Sequence, residues 1–533
     1  MRARPLFAVG AALAVALTSC GAPESGSPDS LVLADAYELG GYNPVAGYGA
    51  AGEAKVYDGL LRLTGGTGVP DFAPALATRL PIPDAGATVW TAPLRPGVRF
   101  SDGSAFDAAD VVATYRAILD PASASEVRSS LSMIERVDAV DPLSVRFTLR
   151  HPYAAFPTKL LIGIVPSEAV AMPGPATASP LNTAPIGTGP YRLTALEPTR
   201  AVFEANESYW GGAPSVKRLT VLQVPDDNTR AQRMASGELD GTSLPPLLAA
   251  TFAQRMSVQA NTSADWRGVS MPESDPVAGD PAVRLALNFA VDRQAMIDNI
   301  LGGYGRPAYT PFADVYGESH NPAVSFAFDR ARAEQILDGA GWRTGTDGVR
   351  AKDGVRAKDG VRARFTVMYN STDTLRRDLA LAFGSDARRV GIEVDLEALS
   401  WDRIEPRITQ AGILLGGGSE PYDPDTQAYN TLHSPPLDPS AGSPYDNASR
   451  HADPAIDAQL DIARRSTDPA VRAAAYREVQ SRYAQDPSHV FLVHLDHTYV
   501  VKDSSWKMSG SILEPHAHGI TWGPWWSLQT WTR

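Results

Sequence analysis

The 533-residue chain predicts an α/β fold, on three observations. Short apolar runs of strand length alternate with longer segments whose apolar residues recur at near-helical spacing. The 45 glycines and 43 prolines cut the chain into many short elements. The length suits two or three domains rather than one.

Taken in order, strands are expected at residues 30–35, 144–149, 201–205, 218–224 and 363–369, bounded by Pro, Gly, Asn or Asp. Helices are expected at 108–119, 228–236, 281–301, 329–340, 374–390 and 469–485. The third has a clear start, because Asp280 can cap it and Pro281 suits the first helical position. Its apolar residues Val283, Leu287, Ala290, Val291 and Ile297 fall near one face. Between these elements, Arg95-Pro-Gly-Val-Arg-Phe-Ser-Asp-Gly103 reads as strand, turn, strand, turn. Gly187-Thr-Gly-Pro190 reads as a tight connection that lets backbone pass closely into a strand near Tyr191.

The N-terminus predicts export. Arg2 and Arg4 precede the apolar run 6–17, which at 12 residues is shorter than the ~20 needed to span a bilayer. Leu17-Thr-Ser-Cys20-Gly21 resembles the bacterial lipobox, so residues 1–19 are expected to be a cleaved leader and Cys20 the lipidated first residue. Cys20 is the one cysteine in the chain, which leaves no partner for a disulfide. The Gly/Ser/Pro-rich stretch after it suits a flexible tether over 20–30.

Net charge is -12, and no basic stripe interrupts it, so nucleic-acid binding has no electrostatic support. One repeat stands out: Gly348-Val-Arg-Ala-Lys-Asp353 recurs at 354–359 and as Gly360-Val-Arg-Ala-Arg364. Its period is too short for a solenoid, and it reads as a charged surface hairpin loop.

Several segments in sequence order carry a resemblance. They are Val56-Tyr-Asp-Gly-Leu-Leu-Arg62, Pro74-Ala-Leu-Ala77 and Leu94-Arg-Pro-Gly-Val-Arg-Phe-Ser-Asp-Gly-Ser-Ala-Phe106. Pro185-Ile-Gly-Thr-Gly-Pro-Tyr191, Asn206-Glu-Ser-Tyr-Trp-Gly211 and Gly237-Glu-Leu-Asp240 follow. Val283-Arg-Leu-Ala-Leu-Asn288, Ala290-Val-Asp-Arg293, 331–337 and Ala340-Gly-Trp342 complete the series. Together they resemble the extracytoplasmic solute-binding protein family 5, the dipeptide-, oligopeptide- and nickel-binding components of ABC importers. The resemblance implies a type II periplasmic-binding-protein fold with two lobes and a hinged ligand cleft. Lobe I would comprise 31–274, with a subdomain at about 60–180, and lobe II 275–490. Residues 491–533 would return to lobe I. It also implies a monomer that delivers a short peptide or other small ligand to permease subunits.

Gly416-Gly-Gly-Ser-Glu-Pro-Tyr-Asp-Pro-Asp425 resembles the family segment that lines the cleft on lobe II. In peptide-binding members an acidic residue there pairs with the ligand's amino group, which makes Glu420 and Asp423 the candidates. A guanidinium suits the ligand's carboxylate because it can grip it with two parallel bonds, and Arg376 and Arg377 lie in the corresponding region. Trp401 and Tyr422 could pack on ligand side chains, and Tyr37, Tyr42 and Asn43 follow a strand where the family places cleft residues. Nickel or a metal chelate is the alternative, since Pro421-Tyr-Asp-Pro424 resembles the nickel branch equally and imidazole ligates nickel well. Its candidates are His433, His516 and His518. Against it, residues 159–165 offer no counterpart to that branch's lobe I arginine, and two histidines do not close a site. His494 and His497, if on a strand, would face opposite sides.

No His-Glu-x-x-His, Gly-x-Ser-x-Gly or phosphate-binding loop is present. The Gly-x-Gly-x-x-Gly match at Gly47, Gly49 and Gly52 follows Tyr42-Asn-Pro44 and lacks a βαβ setting. The expectation is a binding protein rather than an enzyme, with no cofactor. A secreted hydrolase is the alternative from another class, and would require Ser, His and Asp within hydrogen-bond reach.

Overall fold

A computed structural model describes residues 28–533 apart from 67, 172–173, 353–359, 419, 436–442, 444, 504, 509 and 517–518. The expected leader, Cys20 and most of the expected tether lie outside the described residues, as does His518. No helix among the described residues is long and apolar enough to cross a membrane.

The strands that position the site are β1 (Ser30–Asp35), β2 (Tyr191–Glu197), β3 (Arg200–Ala205), β4 (Arg218–Gln223) and β5 (Gly241–Ser243). They continue with β6 (Ser257–Ser270), β7 (Arg364–Asn370), β8 (Glu393–Leu399), β9 (Gly412–Gly417) and β10 (His489–Val501). They form one sheet in the order β8-β7-β9-β6-β10-β5-β1-β4-β3-β2. β1 lies between β4 and β5, parallel to both. A strand so enclosed is covered on both faces, and this accounts for the unbroken apolar run Leu31-Val-Leu-Ala34.

Two large cores divide the chain. One gathers Leu33, Tyr115, Phe147, Tyr191, Trp522 and Trp525. The other gathers Leu287, Val367, Phe383, Tyr476 and Phe491. We refer to them as lobes I and II. The antiparallel pair β6/β10 runs through both: Val258 and Val500 pack in a satellite core of lobe I, whereas Val269 and Val490 pack in lobe II. The register between the two strands shifts between Thr262 and Trp266. Such an irregularity lets a long strand bend. The passage from one core to the other thus occurs within the strands themselves.

Lobe I carries an antiparallel sheet of Ile82–Pro83, Val89–Pro93, Ser144–Leu149 and Ile134–Asp141. Helix α1 (Ala108–Leu119) covers it, with Tyr115 edge-on to Phe147. Asp107 and Asp110 close a capping box at its start. The expected turn at Asp102-Gly103 joins a short bridge between Arg99 and Ala105. At Gly187 and Gly189 a methyl group would overlap the Val56 backbone, so these positions require glycine. The Trp-rich tail packs into the lobe I core through Trp522, Trp525 and Trp531.

The helix expected over 281–301 is two helices. After α2 (Asp227–Ala235), α3 (Pro281–Ala290) stops where Val291 turns extended, and Asp292 caps α4 (Arg293–Asn299). Buried Arg293 locks this joint by donating to the carbonyls of Asn288, Ala308 and Phe491. A cap and a buried guanidinium outweigh the continuous apolar spacing. The middle of the repeat, 353–359, lies outside the described residues, but its first copy is less exposed than expected at one position. Arg350 is buried, donating to the Val390 and Trp342 carbonyls and to Asp338.

Candidate functional site

The lobes meet around the segment after β9. α6 (Pro424–Leu432) starts at Asp423, whose side chain accepts from the Asp425 amide at 2.8 Å. Asp423 also pairs with Arg472 on α8 (Pro469–Tyr483). Burial raises its pKa, with Arg472 opposing. Asp425 is gripped on both oxygens by Arg464 of α7 (Pro454–Arg465), at 2.9–3.1 Å. The two aspartates therefore anchor helices.

Glu420 has a different partner. Its carboxylate meets the ammonium of Lys159, a lobe I residue. Lys159 comes from the turn Phe156–Leu160, fixed by buried Phe156 and Leu160 and by the Tyr115 hydroxyl, which donates to the Lys159 carbonyl at 2.7 Å. The lysine side chain is 5% exposed. Nearby, the Ala154 amide donates to the Arg464 carbonyl at 3.0 Å, a second link between the lobes.

Tyr422, two residues on, leaves lobe II altogether. It is buried within the lobe I core, and its hydroxyl has no hydrogen-bond partner among the described residues. Burial raises its pKa well above the usual value, and the charges of Glu53, Glu514 and Glu420 add to this. Burial pushes Glu53 up to about 7, and one of its oxygens is likewise unpartnered. Burial lowers the neighbouring Lys55 to about 8; its ammonium donates to the Trp525 carbonyl at 2.8 Å.

The lobe II wall adds Arg376 at the start of α5 (Thr374–Arg389). Arg376 is buried, donates to Asp373 at 2.6 Å and stands over the Trp401 ring at 5.3 Å, with its Nε unpartnered. Burial lowers its pKa, as does the charge of neighbouring Arg267. Arg377 points elsewhere: it is exposed and pairs with Asp378. Trp401 is half-buried and also meets Tyr445 edge-on.

The floor of the cleft is the β6/β10 crossing. Asp265 is fully buried and pairs with Arg267, with His516 (2.8 Å) and with His497 (3.2 Å). Burial would raise its pKa, but Arg267 and His516 hold it well below the usual range. Glu514 accepts from Asn261 (2.6 Å), Tyr499 (2.5 Å) and the Gly523 amide (2.9 Å). A side chain at Gly416 would collide with Arg267 and His516, so the glycines let the binding segment lie on this floor.

The family model for the bacterial extracellular solute-binding proteins, family 5, matches residues 71–438. The chain belongs to that family. It is 43% identical over 516 residues to Protein XP55 of Streptomyces lividans, covering 94% of this chain and 92% of that protein. It is 32% identical over 281 residues to the glutathione-binding protein GsiB of Escherichia coli (strain K12), covering 51% and 53% of the two chains. Among solved structures, NikZ from Campylobacter jejuni in complex with Ni(L-His) matches with a TM-score of 0.82 and 25% identity, covering 95% of this chain and all of that one. The architecture is thus the two-lobed type II periplasmic-binding-protein fold, as expected.

Within this family 5 fold, the expected site residues separate. Glu420 and Tyr422 lie where the lobes meet, and Arg376 and Trp401 stand against each other on lobe II. Asp423 is held by its cap and by Arg472. Tyr42 packs edge-on against Tyr48 and Phe203, and buried Asn43 donates to the Ala176 carbonyl at 3.0 Å. Both are buried in lobe I, whereas Tyr37 is exposed. Of the metal candidates, His433 stacks on Tyr429 and contacts the Ser434 carbonyl, whereas His516 engages Asp265. Among the described residues, no group of three His, Cys, Asp or Glu side chains is placed to hold a metal ion.

Sequence reasoning missed Lys159, Glu53, Arg267 and Asp265. Lys159 carried a signal, a lone cation in the apolar run 159–165, but its partner lies 261 residues away. Arg267 and Asp265 sit in a strand that was not expected.

Proposed function

We propose that this family 5 protein is the lipid-anchored substrate-binding component of an ABC importer, closing its two lobes on a short peptide that it hands to the permease. One observation supports the reading: lobe II carries both an acidic group, Glu420, and a buried guanidinium, Arg376, of the kinds suited to the two ends of a zwitterion. The leader and Cys20 support export and anchoring, and the family supports a location outside the cytoplasm. The 32% identity to a glutathione-binding protein over half the chain supports a small peptide.

A metal chelate is the second reading, favoured by the likeness to a nickel–histidine-binding protein. Such cargo would be held through its carboxylates by Arg376 and Arg267 rather than by protein ligands to the metal. Native mass spectrometry of protein purified without added ligand, followed by denaturation, tests both. Release of short peptides is the expected result. Release of nickel with a small chelator, and no peptide, would overturn the first reading in favour of the second.

A further inference from the structure

Lobe I holds a cavity of its own, apart from the place where the lobes meet. It measures about 70 Å³ and lies between residues 52–63 and the C-terminal tail at 522–529. Leu61, Leu63 and Leu161 give it apolar wall, and Tyr209 and Trp526 give it aromatic wall. No residue of lobe II lines it.

Its polar lining is rich in donors. Trp522 and Tyr57 are both buried, yet the indole N–H of one and the hydroxyl of the other have no hydrogen-bond partner among the described residues. An indole N–H can only donate, and an ammonium carries three N–H bonds. Buried Lys55 uses two of its three, on the carbonyls of Trp525 at 2.8 Å and Thr521 at 3.4 Å. Arg62 is the exposed cation of the lining and marks its mouth. Asp58 is the one carboxylate there among the described residues, and its oxygens already accept from Tyr209 (3.0 Å), Trp210 (2.8 Å) and Thr188 (3.0 Å). Burial pushes its pKa up to about 6, against the pull of those bonds and of the Arg62 charge. The lining thus sets two cations and two unmet neutral donors against one carboxylate that is already supplied with donors. Buried donors without acceptors are costly, and a guest that brings acceptor oxygens removes the cost. A water needs about 10–15 Å³ of such space, so the cavity suits a guest of about five non-hydrogen atoms.

We infer that this cavity is a second binding site, for a small oxyanion of the size of inorganic phosphate or a short carboxylate. Lys55 and Arg62 supply the charge, and Trp522 and Tyr57 supply hydrogen bonds to its oxygens. The anion joins the segment 52–63 to the tail, and so acts as a clasp on lobe I. The site is independent of the cargo carried between the lobes, and its test does not depend on the peptide reading.

Thermal unfolding of the purified full chain in chloride buffer of constant ionic strength, with rising phosphate, sulfate or acetate, tests the site. At least one of these anions should raise the unfolding midpoint in a saturable way, by about 2 °C or more at about 100 times its Kd. Preference for phosphate and sulfate would mark a tetrahedral guest and preference for acetate a carboxylate, and either supports the site. Trp522→Phe, which deletes the N–H, should weaken the anion by about fivefold or more. Arg62→Gln should do the same, and because Arg62 is exposed this variant does not put folding at risk. A midpoint that only climbs in proportion to concentration, as excluded salts produce, would overturn the inference. So would a saturable effect that both variants leave intact, or one that Arg376→Gln abolishes, since either places the anion elsewhere.

Discussion

The imidazole of His497 stands between two buried carboxylates, its Nδ1 2.8 Å from Glu514 and its Nε2 3.2 Å from Asp265. Only a doubly protonated ring can donate to both. Burial would lower the pKa of His497, but its bonds to Asp265 and Glu514 outweigh burial and raise it to about 9. The three residues tie the tail and β10 to β6 at the point where the sheet passes between the lobes.

This gives a stability effect of known sign. The folded pKa of about 9 exceeds the ordinary 6.5. The contribution of His497 is therefore fully present below about pH 6.5 and is lost as pH rises through about 9. Thermal melts of wild type and His497→Gln between pH 6 and 10 should show the wild-type advantage shrinking across that window. Taking the difference between the two proteins removes the opposing titration of Lys55. An advantage that stays constant with pH would contradict the charged, doubly bonded ring.

Glu420 and Asp423 should separate into binding and stability roles. Asp423→Asn weakens both the α6 cap and the pair with buried Arg472, and should cost about 2–3 kcal/mol in urea unfolding. Glu420→Gln leaves buried Lys159 without its charged partner and should also cost stability, but of the two variants it alone should lower affinity for the released ligand, by about tenfold or more. A reversal of the two profiles would return the ligand role to Asp423.

These residues show how much of the site was legible in the sequence. β1, α1 and the capped start of α3 follow from local rules: an apolar run, a capping box, an Asp-Pro pair. The segment 416–425 could be located by resemblance, but its aspartates and glutamate could not be told apart. Their roles depend on Arg472, Arg464 and Lys159, all distant in sequence. β6 and β10 escaped notice for a related reason. Asp265, Arg267, His494 and His497 interrupt their apolar pattern; Asp265 is buried in pairs with Arg267 and His497, whereas burial lowers the pKa of His494 to about 3 and keeps it neutral. Tyr42 and Asn43 show the opposite: their order in the chain suggests the cleft, while both side chains are buried in lobe I.

Adjacent arginines offer a sharper contrast. Arg376 lies under Trp401 and beside Arg267 with an unpartnered Nε, whereas Arg377 is in solvent. Arg376→Gln should weaken binding of a carboxylate-bearing ligand by about 10–100-fold. Arg377→Gln should leave titration curves unchanged. Equal losses for the two variants would place the carboxylate site elsewhere.

Tyr422 provides the last test, because its ring and its hydroxyl do different things. The ring belongs to lobe II in sequence and to the lobe I core in space, so it helps to hold the lobes together. Tyr422→Ala removes a buried aromatic and should cost about 3 kcal/mol, with an increase in radius of gyration by small-angle scattering as the lobes separate. The hydroxyl has no hydrogen-bond partner. Deleting it in Tyr422→Phe should leave the scattering curve unchanged and raise stability by up to about 1 kcal/mol, since an unsatisfied buried hydroxyl is itself a cost. If the hydroxyl serves the ligand, the same variant loses about tenfold in affinity despite its added stability. Closure and affinity falling together in Tyr422→Phe would show instead that the hydroxyl acts on the lobes and not on the ligand.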